Sequence, residues 1–189
     1  MSDLKDKRDE ELVSLFLSGN EFAFEELYRR YAPKLKKFIY FYLGNDTDME
    51  DILHEIFIRF FRHAGSFNPE MNFSSWIYKI SLNSCKNYIG TVKRTGEIIE
   101  KEKIRLSRSD NFYESPEAGF IGEVDLEYFR NAVDSLKDKF KDVFLLRYEE
   151  NMKYADICKI LKCSERAAKW RVMKAVELIT DYLEKKKVV

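Results

Sequence analysis

The sequence is short of the residues that turn a chain. Its 189 residues include seven glycines and three prolines, too few for an all-β protein that must reverse direction every few residues. Cysteine is rarer still in any useful pattern: Cys85, Cys158 and Cys163 are odd in number and contain no CxxC pair. A disulfide framework is therefore disfavoured, and a reduced intracellular compartment fits. His54 and His63 stand at no zinc-motif spacing from them, so no metal site is expected and each cysteine reads as a small core residue. No apolar run approaches the roughly 20 residues that span a bilayer. The N-terminal MSDLKDKRDEE carries no signal-peptide core, so the expectation is a soluble, cytoplasmic chain with no membrane insertion. There is no Gly-rich phosphate loop and no plausible Ser/His/Asp arrangement, which argues against an enzyme and against a bound cofactor.

What is plentiful points to helices. Hydrophobic residues make up 45% of the chain and aromatics 15%, enough for a folded core despite 35% charged residues. Lysine plus arginine and aspartate plus glutamate balance at 33 each, so net charge carries no nucleic-acid signal. Local charge carries more. Residues 65–95 hold Lys79, Lys86, Lys93 and Arg94 against Glu70, and residues 164–187 hold seven bases against four acids. Between them, residues 96–127 hold nine acids and four bases. Two basic surfaces separated by an acidic stretch would suit two DNA contacts. Solvated helices also scatter charge this way, so both readings stay open on charge alone.

Apolar positions recur at helical spacing almost throughout. Leu12, Leu15 and Phe16 mark a first helix ending near Gly19-Asn20. Phe24, Leu27, Tyr28, Tyr31, Leu35, Phe38, Ile39 and Tyr42 form the stripe of a second, with a kink or break expected at Pro33 and a C-cap at Gly44. A third helix opens at Asp46 or Thr47 and should bury Met49, Ile52, Leu53, Ile56, Phe57, Phe60 and Phe61. A fourth runs from about Phe73 to Thr91. Periodicity then weakens from Gly96 to Gly122, where SRSDNFYESPEAG has the composition of a loop. It returns at Leu126, Phe129, Val133 and Leu136, then at Phe140, Val143, Phe144 and Tyr148. The fold class is all-α: two small helical domains, residues 1–95 and 123–189, joined by a linker over 96–122.

The clearest single motif lies in the last sixty or so residues. A helix over Tyr154–Leu161 buries Tyr154, Ile157, Cys158 and Leu161; the short turn Lys162-Cys163-Ser164 follows, with Ser164 as N-cap of a long helix. That is a helix-turn-helix, whose second helix can enter a DNA major groove. Ala168, Val172, Ala175, Ile179 and Leu183 face inward; Arg166, Lys169, Trp170, Met173 and Lys174 face outward with Arg171 beside them. Basic side chains there can hold phosphates or read guanine edges, although tandem short helices with a basic face also occur in proteins that never touch DNA. The fourth helix carries a second polar stripe: Lys79, Asn83, Lys86, Gly90 and Lys93, with Asn87 and Arg94 alongside. Lys and Asn can grip a backbone and hydrogen-bond an unstacked base; an ordinary solvated face is the alternative.

Taken in order, these pieces resemble the extracytoplasmic-function sigma factors. GNEFAFEELYRRYAPKLKKF resembles the opening of sigma region 2, and DMEDILHEIFIRFFRHAGSFNPEMNFSSWIYKISLNSCKNYI is similar to that region's most recognisable block. VDSLKDKFKDVFLLRYEENMKYADICKILKCSERAAKWRVMKAVELI resembles region 4. The resemblance implies a promoter-recognition subunit that binds core RNA polymerase and promoter DNA. It implies that Asp51, His54, Glu55 and Ile58 dock on polymerase. It assigns the loop 66–72 and the face with Lys79, Asn83, Lys86, Asn87, Lys93 and Arg94 to the melted −10 element, and Arg166, Lys169, Trp170, Arg171 and Lys174 to the −35 duplex. An anti-sigma factor is an implied partner. His54, Lys137, Cys158, Ala167-Ala168 and Asn151 depart from the usual pattern; Ala167 and Trp170 suggest an unusual −35 sequence, while asparagine at 151 suits a left-handed turn. The rival readings are a sigma-like decoy that does not start transcription, a dimeric helix-turn-helix repressor, and a purely structural bundle.

Overall fold

The computed structural model describes residues 4–44, 48–69, 71–95 and 123–187, and all regular structure among them is helical. The N-terminal bundle comprises α1 (Asp9–Leu17), α2 (Glu21–Leu43), α3 (Met49–His63) with a 3-10 turn at Ala64–Ser66, and α4 (Phe73–Thr95). The C-terminal bundle comprises α5 (Glu123–Asp134), α6 (Asp138–Phe144) running into a π-helical stretch Leu145–Glu149, α7 (Tyr154–Leu161) and α8 (Glu165–Lys187). The expected linker lies outside the described residues.

Local signals set most helix ends. Asp9, Glu10 and Glu11 fill the first turn of α1, where negative charge meets the positive end of the helix dipole. Gly44 closes α2 in the left-handed region (φ 72°), its N–H bonding the Tyr40 carbonyl at 2.9 Å. Pro33 does not break α2: the helix is continuous from Glu21 to Leu43. Pro33 and Arg29, whose carbonyl loses a donor, are both exposed, so water can satisfy it. The flanking Leu27, Tyr31, Leu35, Phe38, Ile39 and Tyr42 are all buried, and their packing holds the helix on course.

Arg30 clamps the first segment to α2. Its guanidinium bonds Asp9 at 2.7 Å, Glu26 at 2.7 Å and the carbonyls of Leu4, Lys5 and Lys7, while Tyr31 donates to Asp9 at 2.5 Å. Hydrogen bonds from Arg29 and Arg30 hold the Glu26 carboxyl down at about 2, against the opposing effect of burial. Glu10 reaches across the bundle to accept the Phe73 N–H at 2.9 Å, satisfying an orphan donor at the start of α4. The core is aromatic. Phe60, fully buried, meets Phe16, Phe24, Phe73 and Trp76 at centroid distances of 5.5–5.9 Å, in the offset and edge geometries that aromatic quadrupoles favour. Phe61 departs from expectation: it lies 62% exposed, its ring against Phe16. The core side of α3 is already filled by Phe57 and Phe60 at adjacent positions.

In the C-terminal bundle α8 packs on α5, α6 and α7 through Ala168, Val172, Ala175 and Ile179, all buried. The two bundles also touch. Phe41 of α2 meets Phe129 of α5 edge-on at 6.3 Å, Arg130 donates to Tyr40 Oη at 3.1 Å, and α4 lies against α7. Among the described residues no helix is long and apolar enough to cross a membrane.

Candidate nucleic-acid and polymerase interfaces

The helix-turn-helix forms over the predicted residues. Lys162, in the left-handed region (φ 49°), ends α7, and the Cys163 N–H returns to the Cys158 carbonyl at 3.3 Å. Ser164 then caps α8, its Oγ accepting the Ala167 N–H at 3.2 Å. The buried side of α7 is Ile157 with Ile160, while Tyr154, Cys158 and Leu161 are only half-buried; the expected stripe omitted Ile160. Upstream, Asn151 takes the left-handed turn position (φ 48°) as its chemistry suggests.

The outer face of α8 is not uniformly available. Arg166 is exposed, Arg171 half-buried, and neither meets an acid among the described residues. Lys169 is bound to Glu165 at 2.6 Å and lies over the Tyr154 ring. Lys174 is bound to Glu177 at 2.6 Å. Trp170 is 51% exposed, with its ring against Phe140 at 5.9 Å. The Trp170 side chain is therefore held by the bundle and still offers a flat face to a ligand.

Helix α4 runs past the expected end near Thr91 to Thr95, so the whole polar stripe from Lys79 to Arg94 lies on one helix. Asn72 Oδ1 accepts the Ser74 N–H at 2.9 Å and opens it. Asn83 and Asn87 are exposed and Lys79 half-buried. Lys93 and Arg94 fall on the last turn, and their side chains lie outside the described residues. Lys86 is not free: its Nζ donates to Asp142 Oδ2 at 2.6 Å, while Tyr42 donates to Asp142 Oδ1 at 2.9 Å. Burial pushes the Asp142 carboxyl above its ordinary value, against the pull of Lys86 and Tyr42. No motif could have revealed this cluster, since Tyr42 and Asp142 stand 100 positions apart.

A third surface lies along α3. Asp51 and His54 are exposed, and Glu55 is half-buried and bound to Arg59 at 2.5 Å. Ile58 is 50% exposed, and Phe61, one turn further along the same stripe, extends the apolar end of this face. Exposed apolar groups such as Ile58 and Phe61 set among charges are typical of a protein-docking surface. Among the described residues no group of histidine, cysteine and carboxylate side chains could hold a metal ion.

Comparison with known proteins follows the same division. Residues 27–95 match Sigma-70 region 2 and residues 126–179 match Sigma-70, region 4. The chain is 24% identical over 186 residues to the RNA polymerase sigma-H factor of Pseudomonas aeruginosa, covering 96% of both chains. It is 26% identical over 184 residues to the ECF RNA polymerase sigma-E factor of Haemophilus influenzae, covering 93% of this chain and 95% of that one. Among solved structures, CnrH in complex with the cytosolic domain of CnrY superposes with a TM-score of 0.69 at 19% identity, covering 94% of this chain and 97% of that one. The sigma factor RpoE bound to the anti-sigma factor NepR, from Bartonella quintana, gives 0.65 at 20% identity, covering 85% and 96%. These structural likenesses establish the fold. With both sigma-70 regions matched in order and relatives aligned along nearly the whole chain, the protein belongs to the extracytoplasmic-function sigma factors, which direct RNA polymerase to promoters and leave the chemistry to polymerase.

Proposed function

We propose that the two bundles divide promoter recognition by the physical state of the DNA. Duplex edges are read from a groove and unstacked bases on an open face, so the two tasks need different surfaces. Arg166, Lys169, Trp170, Arg171 and Lys174 on α8 contact the −35 duplex. Lys79, Asn83, Lys86, Asn87, Lys93 and Arg94 on α4, with the loop 66–72, hold the melted −10 strand. Asp51, His54, Glu55 and Ile58, extended by Phe61, dock on polymerase. The domains span 1–95 and 123–189, and the acidic linker 96–122 passes between them. The protein works in the cytoplasm, and an anti-sigma factor holds it inactive, as an anti-sigma factor binds the Bartonella relative.

The observation that carries this reading is the coexistence of two unlike polar faces. A capped recognition helix bears Arg166 and Arg171, which meet no acid among the described residues, and a separate helix bears the exposed amides Asn83 and Asn87. Replacing Arg171 and Lys174 together by Ala should weaken binding to a −35 duplex and leave melting by already engaged polymerase nearly normal. Asn83→Ala should do the reverse. Gel shifts on the duplex and permanganate footprinting of the melted region measure the two steps; failure of both variants at one step would refute the division.

A further inference from the structure

Two of the three cysteines belong to the helix-turn-helix, and its turn brings them together. Lys162, in the left-handed region (φ 49°), reverses the chain after α7. Its N–H and that of Cys163 both return to the Cys158 carbonyl. A helix end of this kind lays the side chain after the left-handed residue against one on the last helical turn, here Cys163 against Cys158. Both are half-buried at the edge of the core. Burial, and then the neighbouring Cys163 sulfur to which it donates, push the Cys158 thiol above its ordinary value. Glu165 and Lys169 of α8 act on the same thiol with opposite signs, so the pair sits beside the duplex face. Cys85 is unlike them: it is fully buried in the N-terminal bundle, and burial pushes its thiol up to about 12, which leaves it inert.

We propose that Cys158 and Cys163 are a peroxide-sensitive thiol pair whose reversible disulfide pulls on the turn and loosens the hold of α8 on duplex DNA. Cys158 keeps its proton, so the Cys163 sulfur attacks the peroxide first. The O–O bond breaks, hydroxide leaves and is protonated to water, and Cys163 becomes a sulfenic acid. Cys158 then gives up its proton, its sulfur attacks the sulfenic sulfur, and a second water departs. Two thiols have lost two electrons to one peroxide. In a reducing compartment such a bond is transient, as a sensor requires. The new bond draws the sulfurs to about 2.05 Å. Cys158 lies on a helix with few rotamers to yield, so the strain falls on Lys162, Cys163 and Ser164. Ser164 caps α8 at the Ala167 N–H, and Arg166 lies two residues further on. The proposal rests on the reading of α8 as the duplex face and adds a control on it.

The test uses the full-length protein, treated with hydrogen peroxide and then with dithiothreitol. Trypsin cleaves after Lys159 and Lys162, which puts Cys158 and Cys163 on separate peptides, and mass spectrometry without reduction shows whether a disulfide joins them. Fluorescence anisotropy reports affinity for a −35 duplex selected with the full-length protein and core polymerase. Peroxide should join the two peptides and weaken duplex binding at least about fivefold, the lower end of losing one bidentate contact. Dithiothreitol should restore both. Cys158→Ser and Cys163→Ser, each checked by circular dichroism, should bind as the reduced wild type does and ignore peroxide. Met173, 62% exposed on α8, could also be oxidised, but dithiothreitol does not reverse a sulfoxide and the serine variants retain Met173. Peptides that stay separate would overturn the proposal, as would a disulfide that leaves affinity unchanged or serine variants that lose affinity to peroxide as the wild type does. If the reduced wild type does not bind the duplex although the disulfide forms, the reading of α8 fails and the control fails with it. That outcome is distinct from intact binding indifferent to the bond.

Discussion

Freeing the lysines of the recognition helix should tighten its grip on duplex DNA. Lys169 is bound to Glu165 and Lys174 to Glu177, each at 2.6 Å and each pair solvent-accessible. A phosphate that approaches either ammonium must displace a carboxylate. Exposed helix pairs of this kind are worth about 0.3–0.5 kcal/mol each, so the two together withhold about 0.6–1 kcal/mol from binding. At 1.4 kcal/mol per tenfold that is about three- to fivefold in affinity. Glu165→Gln combined with Glu177→Gln should recover this factor, measured by anisotropy on a −35 duplex selected with the full-length protein and core polymerase. Glu184 lies exposed on the same helix without an ion pair among the described residues, so Glu184→Gln controls for the mere loss of negative charge. Arg166 and Arg171 meet no carboxylate among the described residues, and Ala at either should flatten the dependence of log affinity on log salt by about 0.9 if it neutralises one phosphate. The reasoning is refuted if the double glutamine variant gains no more than Glu184→Gln, or if loss of Arg166 and Arg171 together leaves the salt slope unchanged.

Other predictions follow from burial, charge and chain composition. Phe60→Ala removes a fully buried ring from an aromatic cluster and should cost about 3–5 kcal/mol in urea unfolding; a loss below about 1 kcal/mol would contradict the packing. The folded Glu26 carboxyl sits at about 2, below its ordinary 4.5, so its stabilisation is complete above about pH 4.5 and is lost as pH falls towards 2. Melting temperatures of wild type and Glu26→Gln should therefore converge across that window, and a gap independent of pH would refute it. Phe61→Ser should weaken core polymerase binding by about tenfold, roughly the worth of burying one exposed ring, with little change in melting temperature; unchanged affinity in a pull-down titration would remove Phe61 from the docking face. Limited proteolysis should cut within residues 96–122 and leave two helical fragments, whereas a resistant linker would argue against two folding units.

Much of this protein was legible in its sequence because the deciding interactions are local. Helical spacing, the glycine at 44, the serine at 164 and the asparagine at 151 act within a turn or two of chain. The bundle helices and the helix-turn-helix therefore fall close to where the residues place them. The family was legible for a related reason: its motifs are the same local patterns repeated in order. Pro33 shows where such rules end, since backbone preference favoured a kink or break and the buried stripe on either side kept one continuous helix. Phe61 shows it again, for periodicity admits the residue to the core and only the crowding of Phe57 and Phe60 turns it outward. Which cations on the polar stripes are free was beyond the sequence altogether. Lys86 and Arg166 are both cations on polar helix stripes, yet one is held by a carboxylate 56 positions away and the other is exposed. Local order is written in neighbouring residues; the pairing of distant charges depends on how separate helices come to lie against one another, and only the tertiary structure decides that.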